Sequence, residues 1–344
     1  MSSTDLAAPS GAAVPPLQAP GGTPPNSVGT DAGELIGHGR AMATEICIRA
    51  VGDDQDGPMA VVVAEALDVF TEVEKSCSRF DPESPLMRAN RDPAAWHRVP
   101  RRCFDALDEA RRAYEETDGR FDPRILSDLV GLGYDRTLPF GSRPVTIDGS
   151  PPRRRLARPP WHPRFRRSTG EVRLGGLPVD LGGIGKGLAV RWASEVLRPT
   201  VPDHLVEAGG DCYCAGLAPG GGPWHVGVED PEGRPQPLLV LALSDEACTT
   251  SSVRLRRWTA GGATVHHLID PRSGLPGGHG LASVTVVAPD PAVAEVWSKT
   301  LFLSGRAGIE AETTRRSLAA CWTTVDGITD VSLALQSRVL WRRP

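Results

Sequence analysis

The stretch VDLGGIGKGLA, residues 179–189, joins an acidic residue, four glycines and a lysine to the start of a predicted helix. A Walker A loop would need glycine at position 180 and a Ser or Thr at position 187, so that backbone amides cradle phosphates and a hydroxyl holds magnesium. The chain has Asp180 and Gly187 there. The spacing therefore excludes a Walker A loop.

A dinucleotide fingerprint is excluded as well, because one that starts at Gly183 places its last glycine at Leu188. Glycines still let the backbone come close to a ligand, and Lys186 supplies a cation near the first turn of a helix predicted over 187–197. The alternative is a tight strand-to-helix turn with a solvated lysine.

The chain has 344 residues, a formal net charge of −4 and 23% charged residues, and this composition is ordinary for a protein of its length. These values give no general reason to expect a nucleic-acid partner. One local exception is the run RRRLARPPWHPRFRR, residues 153–167, which carries seven arginines. It could clamp RNA, but it is more typical of a surface connection whose aromatic residues pack against the body.

Seven cysteines without a Cys-x-x-Cys pair indicate neither a disulfide framework nor a zinc site, and they fit a reducing cytoplasm. Cys212 and Cys214 are predicted to share one face of a strand as small buried residues. Residues 1–40 are rich in Pro, Gly and Ala and contain no apolar run typical of a signal peptide or membrane anchor. We expect a disordered tail there and a cytoplasmic protein.

The remaining pattern predicts an α+β fold over residues 41–340. An amphipathic helix around 63–77 and a second near 102–117 come first, and a Pro- and Arg-rich segment at about 137–170 is predicted to be an irregular insertion. Strands dominate after position 205, apart from a helix near 290–304. The last two predicted strands, AACWTTV and DVSLALQ, meet at Asp326 and Gly327, a pair that favours a tight hairpin. We expect mixed, mainly antiparallel sheets with packed helices.

Four clusters of glycine, acidic or small polar residues follow one another along the chain: VDLGGIGKG, VEAGGDCY at 206–213, ACTTSS at 247–252 and HHLIDPRSG at 266–274. Together they resemble the FAD:protein FMN transferase (ApbE) family, whose corresponding runs read DLGGIAKG, NLGGD, ATSG and HHIIDPRTG. The resemblance extends to RAMATEICIRA and SRFDPESPLMRAN and covers about residues 40–335. It implies a fold of mixed antiparallel sheets related to the T-fold.

The resemblance also implies a reaction. Members of the family cleave FAD, attach its FMN half to a Thr or Ser hydroxyl of an acceptor flavoprotein, and release AMP. His267 and Asp270 would then lie at the reacting phosphates, His267 as base or charge stabiliser. The residues implied to bind FAD are Met42, Asn90, Asp180, Gly182, Gly183, Lys186, Gly210, Ser251 and His267. Asp180, Asp211 and Asp270 could equally well hold their turns.

This chain departs from the family pattern at the magnesium site. The family binds the metal partly through an Asp and a Thr four residues apart on the helix ADALATALFVLG, where this chain reads AEVWSKTLFLSG. Gly185 and Glu295 remain candidate ligands, but Lys299 replaces the Thr, and a charged lysine cannot bind magnesium. Glu295 and Lys299 could form a surface ion pair. Alternatively, the ammonium stands where the metal would, which makes Lys299 a candidate catalytic cation and leaves the need for magnesium open.

Two further functions remain open at this stage. Water could replace the acceptor hydroxyl, which would make the chain an FAD pyrophosphatase that yields FMN and AMP. The loss of the standard metal pair would also suit a flavin-binding homologue without catalysis.

Overall fold

A computed structural model describes residues 26–31, 33–52, 57–136 and 158–344 of the chain. Residues 1–25, which belong to the predicted tail, and 137–157 of the predicted insertion lie outside the described residues.

The helices within this part of the chain are α1 (Pro58–Cys77), α2 (Pro85–Arg91), α3 (Arg101–Glu116), α4 (Leu126–Gly131), α5 (Gly185–Leu197), α6 (Pro291–Leu303) and α7 (Gly305–Arg315). Both α1 and α6 carry proline in their first turn, where a missing N–H costs nothing. The side chain of Asp290 caps α6 by accepting a hydrogen bond from Val293 N at 2.9 Å. Of these helices, none combines the length and apolar character that a membrane span requires.

The described residues form one large sheet of nine strands, in which every neighbouring pair is antiparallel. In spatial order, the strands are β1 (Ser27–Asp31), β2 (Glu34–Ala41), β3 (Thr44–Val51), β7 (His204–Ala208), β8 (Asp211–Ala215), β11 (Glu246–Ser252), β16 (Leu281–Ala288), β17 (Ala319–Thr324) and β18 (Thr329–Val331). The predicted α+β fold with mainly antiparallel sheets is confirmed.

Short strands form four small sheets beside the large one within the described part. They are β4 (His97–Arg98), β5 (Arg164–Arg166) and β6 (Glu171–Arg173); β9 (Trp224–Val228), β10 (Leu239–Leu243) and β19 (Val339–Arg342); β12 (Arg257–Ala260) with β13 (Ala263–His266); and β14 (Ile269–Asp270) with β15 (Leu275–Pro276). A 3-10 helix spans Leu333–Arg338.

Strand β8 and most of β16 in the large sheet are buried on both faces. On β8, Tyr213 packs into the core shared with α1, α5 and α6, whereas Cys212 and Cys214 point to a second core beneath β9 and β10. The two cysteines thus share one face as small buried residues, as predicted. All seven cysteines of the chain are free thiols.

The predicted tail boundary at residue 40 is wrong. Strands β1 and β2 fall within residues 27–41 and form one edge of the large sheet. The glycines that suggested disorder have a packing role, because a Cβ at Gly37 would lie 2.5 Å from Val63 Cγ1 of α1. Leu35, in the same strand, has no exposed surface.

Within the predicted insertion, residues 164–166 form β5, whereas 158–163 and 167–170 lie outside helices and strands, so the prediction of an irregular segment is wrong only at β5. The aromatic residues of the insertion pack inward as predicted, since Trp161 is buried and Phe165 meets the Phe104 ring edge-on at 5.3 Å. Arg167 pairs with Asp108 at 2.6 Å.

The Asp326–Gly327 hairpin joins β17 to β18 as predicted. The predicted strand DVSLALQ is wrong beyond Val331, because the chain turns there into the 3-10 helix and buries Leu335 in the second core.

Candidate active site

A pocket among the described residues lies at one end of the helices. The β2–β3 turn, the end of α1, the glycine turn and the segment around His267 and Lys299 surround it. Of the predicted site residues, the lining contains Met42, Asp180, Gly182, Gly183, Gly185, Lys186, His267 and Lys299. Segments that are far apart in sequence therefore meet at this pocket.

The glycine turn before α5 is held in shape by two side chains. Asn90 donates to Val179 O and accepts from Val179 N, each at 2.8 Å. Asp180 Oδ1 accepts from Gly182 N at 2.8 Å, so this carboxylate shapes the turn from within. Asn90 is buried behind the turn, which it holds in place, and it does not line the pocket; its contact with FAD stays a prediction.

Glycine is required at position 183 of this turn because other groups approach closely there, whereas a Cβ at position 185 would be in ordinary van der Waals contact. A Cβ at Gly183 would lie 2.9 Å from Phe121 Cε2 and 3.4 Å from Lys299 Cδ. At Gly185, the first residue of α5, a Cβ would lie 3.4 Å from Met42 Cε. The glycines thus make room for an aromatic ring, a cationic stem and a thioether at one point.

Met42 reaches the pocket from a strained hairpin turn. Met42 and Ala43 have φ angles of 55° and 57°, a left-handed conformation that non-glycine residues rarely adopt. The Met42 N–H donates to Glu74 Oε1 of α1 at 2.8 Å, which ties the turn to the helix. Strain of this kind costs about 1–3 kcal/mol and clusters at functional sites.

Two ammoniums and two carboxylates form a cluster at the inner end of the pocket. Lys186 donates to the Asp211 carboxylate. Glu295 Oε1 lies 3.0 Å from Lys299 Nζ and 3.9 Å from Lys186 Nζ, while Glu295 Oε2 accepts from Gly187 N at 2.8 Å. Since Glu295 has no exposed surface, the interpretation of Glu295 and Lys299 as a surface ion pair is wrong.

Burial and charge act in opposite directions on this cluster. Burial lowers the pKa of Lys186 to about 7, against the attraction of Glu295. Burial would raise the pKa of Glu295, but the ammoniums of Lys299 and Lys186 hold it below its usual value. Glu295 is therefore ionised at neutral pH, and its carboxylate faces both lysines.

The ACTTSS run supports this cluster from behind. Thr250 N donates to Asp211 Oδ1 at 3.0 Å, and the buried Ser251 Oγ lies 2.8 Å from Ser298 Oγ on α6. The structure thus places Ser251 between the sheet and α6, away from the pocket lining. Gly210, in the exposed β7–β8 turn, does not line the pocket either, and the FAD contacts predicted for Ser251 and Gly210 stay predictions.

His267 and His266 face opposite ways, as predicted. His267 lines the pocket, and His266 meets the Phe302 ring edge-on at 5.9 Å. His267 Nδ1 lies 3.4 Å from Arg256 O, and because a carbonyl oxygen can only accept, Nδ1 carries the proton and Nε2 keeps a lone pair. Burial, with Arg256 and Lys299, holds the pKa of His267 well below its usual value, so the ring is neutral.

Asp270 does not line this pocket, although its neighbours Ile269 and Pro271 do, and its place at the reacting phosphates stays a prediction. Its Oδ1 accepts from Arg272 N and Nε at 2.9 and 3.0 Å, and its backbone O accepts from Gly274 N at 2.8 Å. Although burial opposes it, bonding to Arg272 holds the pKa of Asp270 below its usual value. Asp270 shapes the Pro-Arg-Ser-Gly turn, the role that sequence left open.

Comparison with known proteins identifies the family. The sequence profile described as the ApbE family matches residues 42–322, more than half of the chain. The chain belongs to the ApbE family.

Curated relatives carry one shared name. The FAD:protein FMN transferase of Salmonella typhimurium is 28% identical over 256 residues, which is 73% of each chain. That of Treponema pallidum is 27% identical over 271 residues, 70% of this chain and 73% of the relative. Among solved structures, an ApbE protein from Thermotoga maritima superposes with a TM-score of 0.73 at 23% identity and covers 90% of this chain and 100% of its own. This last likeness concerns the fold.

The lining residues of this ApbE pocket that sequence reasoning missed include Arg79, Phe80, Tyr134 and Arg256. The Arg79 guanidinium lies 4.1 Å from the centroid of the Phe80 ring and 4.2 Å from that of Tyr134, while Arg79 Nε lies 3.6 Å from Asp180 Oδ2. Adjacent Arg and Phe in SRFDPES were the available signal for this cation–π contact. Nothing in the sequence around Arg256 distinguishes it from other surface arginines.

The donor set does not fit the magnesium ion that the family resemblance implies. Magnesium needs near-octahedral oxygen ligands at about 2.0–2.1 Å. Here both oxygens of Glu295 already accept hydrogen bonds, and an ammonium occupies the position of the second side-chain ligand. Gly185 lines the pocket, but the described residues include no group of three or more His, Cys, Asp or Glu that could hold a metal.

Proposed function

We propose that this chain transfers the FMN half of FAD to a Thr or Ser hydroxyl of an acceptor protein and releases AMP. The observation that carries the proposal is the position of the neutral His267 beside the Lys186 and Lys299 ammoniums in one pocket. Relatives named FAD:protein FMN transferase support it.

The acceptor oxygen attacks the phosphorus of the FMN half and forms the new phosphoester. The bond from that phosphorus to the bridging oxygen breaks, and AMP leaves with the bridging oxygen. His267 Nε2 can take the hydroxyl proton, since its lone pair is available. The phosphates of bound FAD bring negative charge, which raises the pKa of the imidazole towards the working pH.

The other pocket residues bind and orient the substrate. The glycine turn lets phosphate approach the backbone, and the lysines neutralise the charge that spreads over the transferring phosphoryl group. Phe80, Phe121 and Tyr134 supply the aromatic surface that a planar flavin or adenine ring requires.

Three observations on one mixture test the proposal. A candidate acceptor is incubated with the protein and FAD, and mass spectrometry of the acceptor is combined with chromatography of AMP and free FMN. We expect an FMN adduct on the acceptor with matching AMP. AMP with free FMN and no adduct would identify a pyrophosphatase, and bound FAD without AMP would identify a flavin-binding homologue.

The cytoplasmic location predicted from the cysteines remains a proposal. Its support is that the thiols serve as apolar packing groups, with Cys212, Cys214, Cys248 and Cys321 in one core. Fractionation of the native host, with the protein traced by antibody, tests it.

A further inference from the structure

The ammonium groups of the pocket cluster face the ligand space, and the carboxylates lie behind them. Lys186 and Lys299 line the pocket with 15% and 17% of their side chains exposed. Asp211 and Glu295 expose 3% and 0%, and neither lines the pocket. A divalent cation would need the reverse order, with oxygens turned to the ligand.

Lysine is rare in this chain. The sequence has three lysines among 38 Lys and Arg residues, and two of the three are Lys186 and Lys299. The third, Lys75, lies exposed on α1. Lysine differs from arginine in being a compact point charge on a flexible stem. Such a stem fits the narrow space beside Gly183, whose Cβ would lie 3.4 Å from Lys299 Cδ.

We infer that the Lys299 and Lys186 ammoniums together take the place of a divalent cation and neutralise the phosphates of FAD, so that the chain binds and cleaves FAD without metal. The inference rests on the proposed function, because that function supplies the phosphates. Each of the two phosphates in FAD carries one ionised oxygen at neutral pH, so each phosphate can accept a charge-assisted hydrogen bond from one of the two ammoniums. Glu295 and Asp211 act as positioning residues that set the direction of the ammoniums.

The first test measures FAD binding without reference to turnover. Quenching of flavin fluorescence gives the Kd of the purified protein in EDTA and in millimolar magnesium. We expect the same Kd in both. A Kd that is about tenfold weaker in EDTA and is restored by magnesium would overturn the inference.

Lysine variants test whether Lys299 is responsible for FAD binding without metal. Lys299→Met should weaken FAD binding about tenfold or more, with no rescue by magnesium, because a charge-assisted contact is lost. Lys75→Met is the matched control and should bind FAD like the unmodified protein. Unchanged binding by Lys299→Met would contradict the inference. The double variant Glu295→Asp with Lys299→Thr should bind FAD in a magnesium-dependent way. FAD binding that stays insensitive to magnesium in this variant would contradict the inference that the ammonium stands where the metal would.

Labelling of the unmodified protein keeps the inference testable should Lys299→Met fail to fold. Trace reductive methylation in EDTA, with and without FAD, is followed by peptide mass spectrometry. Bound FAD should reduce labelling of Lys186 and Lys299 and leave Lys75 unchanged. Equal labelling of Lys299 in the FAD-saturated protein would contradict the inference.

The inference and the proposed function fail in different ways. Transfer of FMN that stops in EDTA and resumes with magnesium would leave the function standing and remove the inference. Metal-independent FAD binding without any FMN adduct would remove the transfer function and leave the phosphate contact standing.

Discussion

The close contact between α5 and α6 at Gly187 predicts a large effect for one methyl group. In Gly187→Ala, the new Cβ would lie 2.5 Å from Pro291 O and 2.8 Å from Ala292 Cα. Both are main-chain atoms of α6, so the two helices must separate. The separation would also stretch the 2.8 Å hydrogen bond from Gly187 N to Glu295 Oε2.

The magnitude follows from three terms. Overpacking costs about 1–3 kcal/mol. The hydrogen bond to a buried, charged acceptor contributes about 1.5–3 kcal/mol. Alanine is favoured over glycine in a helix by about 1 kcal/mol, which offsets part of the loss. We therefore expect Gly187→Ala to lower the free energy of unfolding by about 1.5–5 kcal/mol.

Urea unfolding followed by tryptophan fluorescence measures this change, since Trp192 on α5 and Trp297 on α6 report on the separated helices. The matched control is Gly131→Ala at the exposed end of α4, where a Cβ would meet nothing within 4 Å. That control should be neutral or gain up to about 1 kcal/mol. A Gly187→Ala protein as stable as the unmodified one would refute the packing argument.

Further predictions concern the histidines and one half-buried glutamate. His267→Ala should slow turnover about 100-fold while FAD affinity changes little, whereas His266→Ala should lower the melting temperature; exchanged behaviours in kinetics and thermal scans would contradict the assigned faces. Burial lowers the pKa of His204 from 6.5 to about 4, so between pH 6.5 and 4 the unfolded chain binds more protons than the folded one, and the protein loses stability as the pH falls through this range. The urea midpoints at pH 7.5 and pH 5 should therefore differ less in His204→Gln than in the unmodified protein. An equal difference in both proteins would argue against the shift. Burial raises the pKa of Glu207 from 4.5 to about 7, so ionisation of this carboxyl destabilises the fold as the pH rises from 4.5 to 7. Glu207→Gln should therefore be more stable than the unmodified protein at pH 8 and not at pH 4.5. An equal gain at both pH values would contradict the raised pKa of Glu207.

Local sequence signals predicted much of the fold. Helices α3, α5 and α6 begin and end within two residues of their predicted limits, because each has an apolar stripe bounded by proline or a capping residue. Strand β2 was missed because Gly37 and Gly39 resemble chain breakers. Each would carry a Cβ within 3.4 Å of an α1 side chain, so they are present for a contact between elements that sequence does not show.

The site residues also divide into those that the local sequence predicted and those whose role depends on packing between distant segments. Residues in the glycine turn were predictable, since Asp180 to Lys186 are neighbours in sequence and enter the pocket together. Asn90 and Ser251 were predicted to contact FAD, but the side chain of each forms hydrogen bonds with protein groups behind the pocket. A motif reveals which residues a site requires, and only the packing distinguishes a residue that touches the ligand from one that holds its neighbour.

Close packing of α5 against α6 turns Glu295 and Lys299 from an expected surface ion pair into part of a buried charge cluster. A glutamate four residues before a lysine on an exposed helix face contributes about 0.2–0.5 kcal/mol. Here the helices approach at Gly187 so closely that the carboxylate is fully buried, and its second oxygen reaches the first turn of α5. A buried carboxylate needs partners, and Gly187 N with the two ammoniums supplies them. The Lys299 ammonium is consequently fixed at the pocket wall, and changes to Gly187, Glu295 and Lys299 should be strongly non-additive for FAD binding.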